Sequence, residues 1–135
     1  MKTTRFVDNQ DLEFVTWVNC HDGVGPFSIR DIIGAVPAEE KEKGFLKFLH
    51  DDIIPPGTTF GYHKHDGMPQ EEWYYCLAGE GVMVVDDSEK PMHPGDIAVC
   101  RTGGCHAIRN EGTEDLHILV IYASQPAEER RGERA

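Results

Sequence analysis

The stretch Gly57-Thr-Thr-Phe-Gly-Tyr-His63-Lys-His65-Asp-Gly-Met-Pro-Gln-Glu-Glu72, followed further on by Gly79, Gly95, His106 and Asn110, carries the strongest signal in the chain. His63 and His65 are two residues apart, so on a β-strand both imidazoles leave the same face and can chelate one ion. Glu72 follows a loop containing glycine and proline and heads an aromatic, apolar run. Returning along a neighbouring strand, it would set a hard oxygen donor beside the two imidazoles. His106 completes a candidate set of three histidines and one carboxylate. Any one of these histidines alone reads as readily as a core or surface residue satisfied by ordinary hydrogen bonds. Several imidazoles turned inward each need a partner, and one shared cation supplies it.

Outward from this stretch, glycine and proline punctuate the chain at short intervals, and the runs between them are short, apolar and β-prone. That pattern predicts an all-β sandwich or barrel of about ten strands. The candidates are Phe14–Val18, Phe27–Ile33, Phe45–His50, Thr58–His65, Glu72–Leu77, Gly81–Val85, Asp96–Cys100, His106–Arg109 and Leu116–Tyr122. Asp86–Lys90 and Glu111–Asp115 have the composition of hairpin tips. Pro37–Lys43 has a proline start and early acids but stops at Gly44 after a very short run, so a charged surface connection is expected there. One domain over 1–124, with an N-terminal arm, precedes a charged tail at 125–135 that lacks apolar anchors.

Thirteen Lys and Arg against 24 Asp and Glu give a net charge of −11, a field that repels phosphate backbones and anionic lipid surfaces. Neither nucleic acid nor membrane is an expected partner. No apolar run approaches the ~20 residues that span a bilayer, and the start of the chain lacks a signal-peptide core, so a cytoplasmic location is expected. Cys20, Cys76, Cys100 and Cys105 lack both disulfide-scaffold density and the Cys-x-x-Cys spacing of zinc sites, and reduced thiols are the plain reading.

These spacings resemble those of the cupin superfamily of small jelly-roll barrels across both of its motifs. The first motif is a glycine, five residues, His-x-His, three or four residues, Glu, six residues and Gly, and here Gly57, His63, His65, Glu72 and Gly79 fill those places. Six residues rather than three or four separate His65 from Glu72; Glu71 would shorten that loop, but the interval to Gly79 selects Glu72. The second motif is matched by Gly95, Gly103, His106 and Asn110, with Arg101 where proline is usual. The resemblance covers Gly57 to Asn110 and implies a cupin-type jelly-roll β-barrel. It further implies His63, His65, Glu72 and His106 as metal ligands.

A mixed imidazole and carboxylate set suits one divalent transition metal ion, whether Fe, Mn, Ni, Co, Cu or Zn, and leaves positions for water or a chelating small molecule. The leading expectation is a metal-dependent enzyme acting on a small oxygen-bearing metabolite by oxygenation, isomerisation or decarboxylation. The competing one is a non-catalytic metal- or ligand-binding protein, since one fold hosts many activities. Strand alternation places Glu72, Tyr74 and Cys76 on the inner face, Tyr74 being a candidate pocket hydrogen-bond donor. Asn110 is expected to hold a strand end or turn, or else to support His106. Phe60, Tyr62, Trp73 and Tyr75 fall on the opposite parity and would make an aromatic outer surface suited to a homodimer. His50, Arg30 and Lys47 have ambiguous parity and receive no catalytic role, nor do His21, His93 and His117.

Overall fold

The computed structural model describes residues 4–126. Strands β1 (Val15–Val18), β2 (Pro26–Asp31), β3 (Leu46–Ile54), β10 (Leu116–Ser124), β5 (Gln70–Ala78) and β8 (Ile97–Arg101) form a six-stranded sheet in that order. Strands β4 (Thr59–Lys64), β9 (Cys105–Arg109), β6 (Gly81–Val85) and β7 (Ser88–Met92) form a four-stranded sheet, again in the order given. All pairings are antiparallel. This is the expected all-β, jelly-roll architecture in a single domain. Side chains from both sheets build one core, with Ile54, Tyr74, Cys76, Ile118 and Val120 on one side and Phe60, Met83, Met92 and Ile108 on the other. In β10 the alternation is plain: Leu116, Ile118 and Val120 are buried, and the residues between them are only partly so.

Four expectations need correction. Pro37–Lys43 is not a plain connection: Ala38–Lys43 forms a helix, α1. A helix this short leaves its last carbonyls without intrahelical partners, and Lys47 Nζ donates to those of Lys41 and Glu42 at 2.8 and 3.0 Å. The tip at Asp86–Lys90 is really the two residues Asp86-Asp87; Ser88 already pairs with Val85 at the start of β7. Asp86 supplies the positive φ of 51° that so tight a turn needs. β3 runs on from His50 to Ile54, taking Asp51 and Asp52 into the sheet.

Phe60 is the fourth. It is 3% exposed and belongs to the core, not to the outer face. Along β4 the register steps from Phe60↔Ile108 to His63↔His106, three residues against two, so a β-bulge inserts one extra residue. Odd and even positions exchange faces across it, and Phe60 points inward together with His63. Of the other aromatics placed outside, Tyr62 is exposed, while Trp73 and Tyr75 are half-buried.

The N-terminal arm is held to the outer face through Arg30, which donates to Asp51 Oδ2 at 2.9 Å and to the Leu12 carbonyl at 3.2 Å and lies over the Phe14 ring. Asp51 also pairs with His117. Of the tail expected at 125–135, residues 127–135 lie outside the described residues; Gln125 N donates to the Pro69 carbonyl.

Candidate metal centre

His63 and His106 sit directly opposite one another on β4 and β9, and His65 follows immediately after the end of β4, two residues beyond His63. Glu72 comes from β5, which belongs to the other sheet, so the carboxylate faces the imidazoles across the barrel rather than from a hydrogen-bonded neighbour. One donor atom from each of the four residues lies within 4.8 Å of all the others. The three Nε2 atoms form a triangle with sides of 3.1, 3.0 and 3.1 Å. Glu72 Oε1 lies 3.3 Å from His65 Nε2 and 3.1 Å from His106 Nε2.

Outer hydrogen bonds settle two tautomers. His63 Nδ1 lies 2.7 Å from the Gly61 carbonyl, which can only accept, so Nδ1 carries the hydrogen and Nε2 the lone pair. His65 Nδ1 lies 2.9 Å from Gln70 Oε1, and the orientation of that amide is fixed because its nitrogen donates to the carbonyls of Asp66 and Met68. His65 Nε2 therefore also presents a lone pair. Two lone pairs 3.1 Å apart repel, and the three sides of the triangle cannot all be N–H···N bonds, because each nitrogen carries either one hydrogen or one lone pair. A cation at the centre accepts every lone pair at once, so the donor set and its tautomers fit a divalent metal ion. His106 is 1% exposed; its Nδ1 has no hydrogen-bond partner, and its ring packs 4.8 Å from Tyr74.

Burial, reinforced by neighbouring imidazoles and only partly opposed by the Gly61 carbonyl, pulls the His63 pKa down to about 4. The ring is thus neutral at neutral pH, the form that binds metal. Hydrogen bonding to Glu72 raises the His65 pKa. For Glu72, burial pushes upward, but in the metal-free site the adjacent His106 and His65 imidazoles outweigh it and bring the pKa to about 2. The carboxylate stays ionised as a hard donor.

Glu71 lies outside this cluster, beside Arg101. Tyr74 is 2% exposed and lines the cavity that opens from Glu72. Asn110 does turn work instead: its amide donates to the carbonyls of Ile54 and Glu114 and accepts from Gly112 N. All four cysteines are free, and none is among the clustered donors.

Two neighbours of the site escaped the sequence reading. Gln70 orients His65 and accepts from the Tyr122 hydroxyl at 3.0 Å; its position two residues before Glu72, on the same strand face, was the available clue. His21 stacks on His63 with ring centroids 3.5 Å apart. It sits in a loop where Asn19, His21 and Asp22 all have positive φ, and no periodicity marks such a loop. Gly61 permits the approach, since a Cβ there would lie 1.9 Å from the His21 carbonyl oxygen.

A family model described as "Cupin domain" matches residues 52–122. Among curated proteins, an oxalate-binding protein of Thermotoga maritima is 31% identical over 103 residues, covering 76% of this chain and 80% of its own length. A glucose-6-phosphate isomerase of Thermococcus gammatolerans is 32% identical over 98 residues, and the chain spans 51% of that protein. Among solved structures, a predicted oxalate decarboxylase from Thermotoga maritima superposes with a TM-score of 0.77 at 26% identity, covering 90% of this chain and 100% of that one.

Proposed function

This chain belongs to the cupin domain family, and on that premise we propose that it is a metal-dependent enzyme. In this reading one divalent transition metal ion, held by His63, His65, Glu72 and His106, binds a small oxygen-bearing acid or sugar derivative in the barrel. The observation that carries it is the convergence of four donor atoms within 4.8 Å, two of them imidazole nitrogens with outward-fixed hydrogens. A bound ion would polarise a carbonyl or hydroxyl oxygen of the ligand. The chain's own residues do the rest. Gln70 and Gly61 hold two imidazoles in the metal-binding tautomer, and the walls around Tyr74 and Phe60 keep water from one side.

Likeness to an oxalate-binding protein supports a short chelating acid as ligand and also favours a second reading, in which binding itself is the function. Likeness to a predicted oxalate decarboxylase supports turnover. The test is metal analysis of protein purified without added metal, beside His63→Ala and Glu72→Gln, followed by oxalate binding and turnover with and without chelator. One ion per chain, lost in both variants, with oxalate binding that needs the ion, supports the reading. Equal metal content in all three proteins contradicts it. Oxalate bound but unchanged, with the same result across keto acids, hydroxy acids and sugars, leaves the binding function in place of the enzyme.

A further inference from the structure

β3 carries two polar side chains that the metal centre does not use. His50 and Asp52 are two residues apart on the inner face of that strand, and both line a cavity of about 370 Å³ that also touches Glu72, Tyr74, Trp17 and His21. Sheet register orders the wall. One row across it is Phe48, Tyr122 and Glu72; the next is His50, Val120 and Tyr74; the third is Asp52, Ile118 and Cys76. Glu72 thus stands at one end of the cavity and Asp52 at the other, with His50 between them.

Asp52 is 2% exposed, and its Oδ1 has no hydrogen-bond partner. Among the described residues the His50 ring makes stacking contacts only, 4.0 Å from Phe48 and edge-on to Trp17 at 5.9 Å. Buried polar groups are as a rule hydrogen-bonded, and leaving one bare is unfavourable. Here Asp52 Oδ1 is such a group, and it borders the same cavity as a metal donor, with the half-buried His50 ring beside it on the same strand face. The missing partner of Asp52 is most simply supplied by a ligand that also reaches His50.

Resting on the metal-centre reading above, we propose that His50 and Asp52 form a distal subsite that selects polyhydroxy acids. The acid's chelating head sits at the metal, and hydroxyls further along its chain meet these two side chains. The chemistry is specific. Asp52 Oδ1 is an acceptor and needs a hydroxyl hydrogen. His50, held neutral because burial lowers its pKa, can give one hydrogen bond and take another. Oxalate has no hydroxyl and no chain beyond its two carboxylates, so it serves as the ligand that ignores this subsite. A volume of about 370 Å³ lies within the range of small-molecule sites of roughly 300–1,000 Å³, room for more than so short an acid.

Calorimetric titration of the Mn²⁺-loaded protein with D-gluconate and with oxalate tests this. Wild type should bind both. Asp52→Leu should weaken gluconate by about tenfold or more, as loss of a hydroxyl's buried partner does, while oxalate changes less than about twofold. Asp52→Asn, which keeps Oδ1 as an acceptor, should retain gluconate binding to within about threefold, and His50→Phe should weaken gluconate alone. Gluconate that fails to bind wild type, or binding of both ligands that is equally affected in Asp52→Leu and Asp52→Asn, overturns the subsite while the metal centre stands. Failure of both ligands to bind in the presence of Mn²⁺ removes the metal-centre reading itself, and the subsite with it.

Discussion

At the residue scale, the four donors were legible because metal chelation constrains spacing: His63 and His65 had to share a strand face, and His106 had to follow a turn. What orients them was not. Gln70 is an ordinary polar residue in sequence, yet its oxygen fixes His65, and ligand-orienting groups are typically worth 10- to 100-fold in metal affinity. Gln70→Ala should weaken metal binding by about that factor in a chelator competition, and Gln70→Glu, which still accepts from Nδ1, should recover most of it. Asp52 has a second, separate consequence. Burial, with the charges of Asp51 and Glu72, raises its pKa from 3.8 to about 8. A carboxyl that binds its proton more tightly when folded adds stability below its unfolded pKa, and this is lost as pH rises through about 8. Denaturant melts of metal-free protein should therefore show Asp52→Asn gaining on wild type between pH 4 and pH 8. A constant difference over that window contradicts the assignment.

At the element scale, the strand pattern was readable wherever apolar and polar residues alternate, as in β10, and unreadable where function interrupts alternation. Asp51-Asp52 looked like the end of β3 because acids are poor strand formers, yet the ladder continues through them to Ile54. Phe60 was assigned to the wrong face because parity counting assumes a regular strand, and the bulge between Phe60 and His63 breaks that count. The short helix was missed because Lys47, which caps its carbonyls, lies beyond it in sequence. Gly61 sits inside the bulged stretch, under the His21 loop. Gly61→Ala would force backbone against backbone, so it should destabilise the fold by about 1–3 kcal/mol and displace His21 from His63. Chemical denaturation reads the first effect, and the His63 imidazole shifts in NMR read the second. Wild-type stability would show that the close approach is not maintained.

At the scale of the whole molecule, all-β architecture followed from turn chemistry and short apolar runs, while sheet order did not, because pairing between distant strands leaves no local mark. The outer surface poses a question of assembly. Val18, Tyr62, Leu77 and Ile97 are each more than a third exposed, and a second copy of the chain is our proposed cover for part of them. Sedimentation velocity should give twice the 15.2 kDa chain mass; a monomer at tens of micromolar, on the order of 10⁻⁵ M, contradicts a dimer. The claim on which the functional account turns is that both sheets aim their donors at one cation. An anomalous difference map from crystals of protein grown with Mn²⁺ or Zn²⁺ tests it most directly. The account predicts a single strong peak at about 2.0–2.2 Å from Nε2 of His63, His65 and His106 and from a Glu72 carboxylate oxygen. A map with no peak there, or with the ion held by other residues, contradicts it.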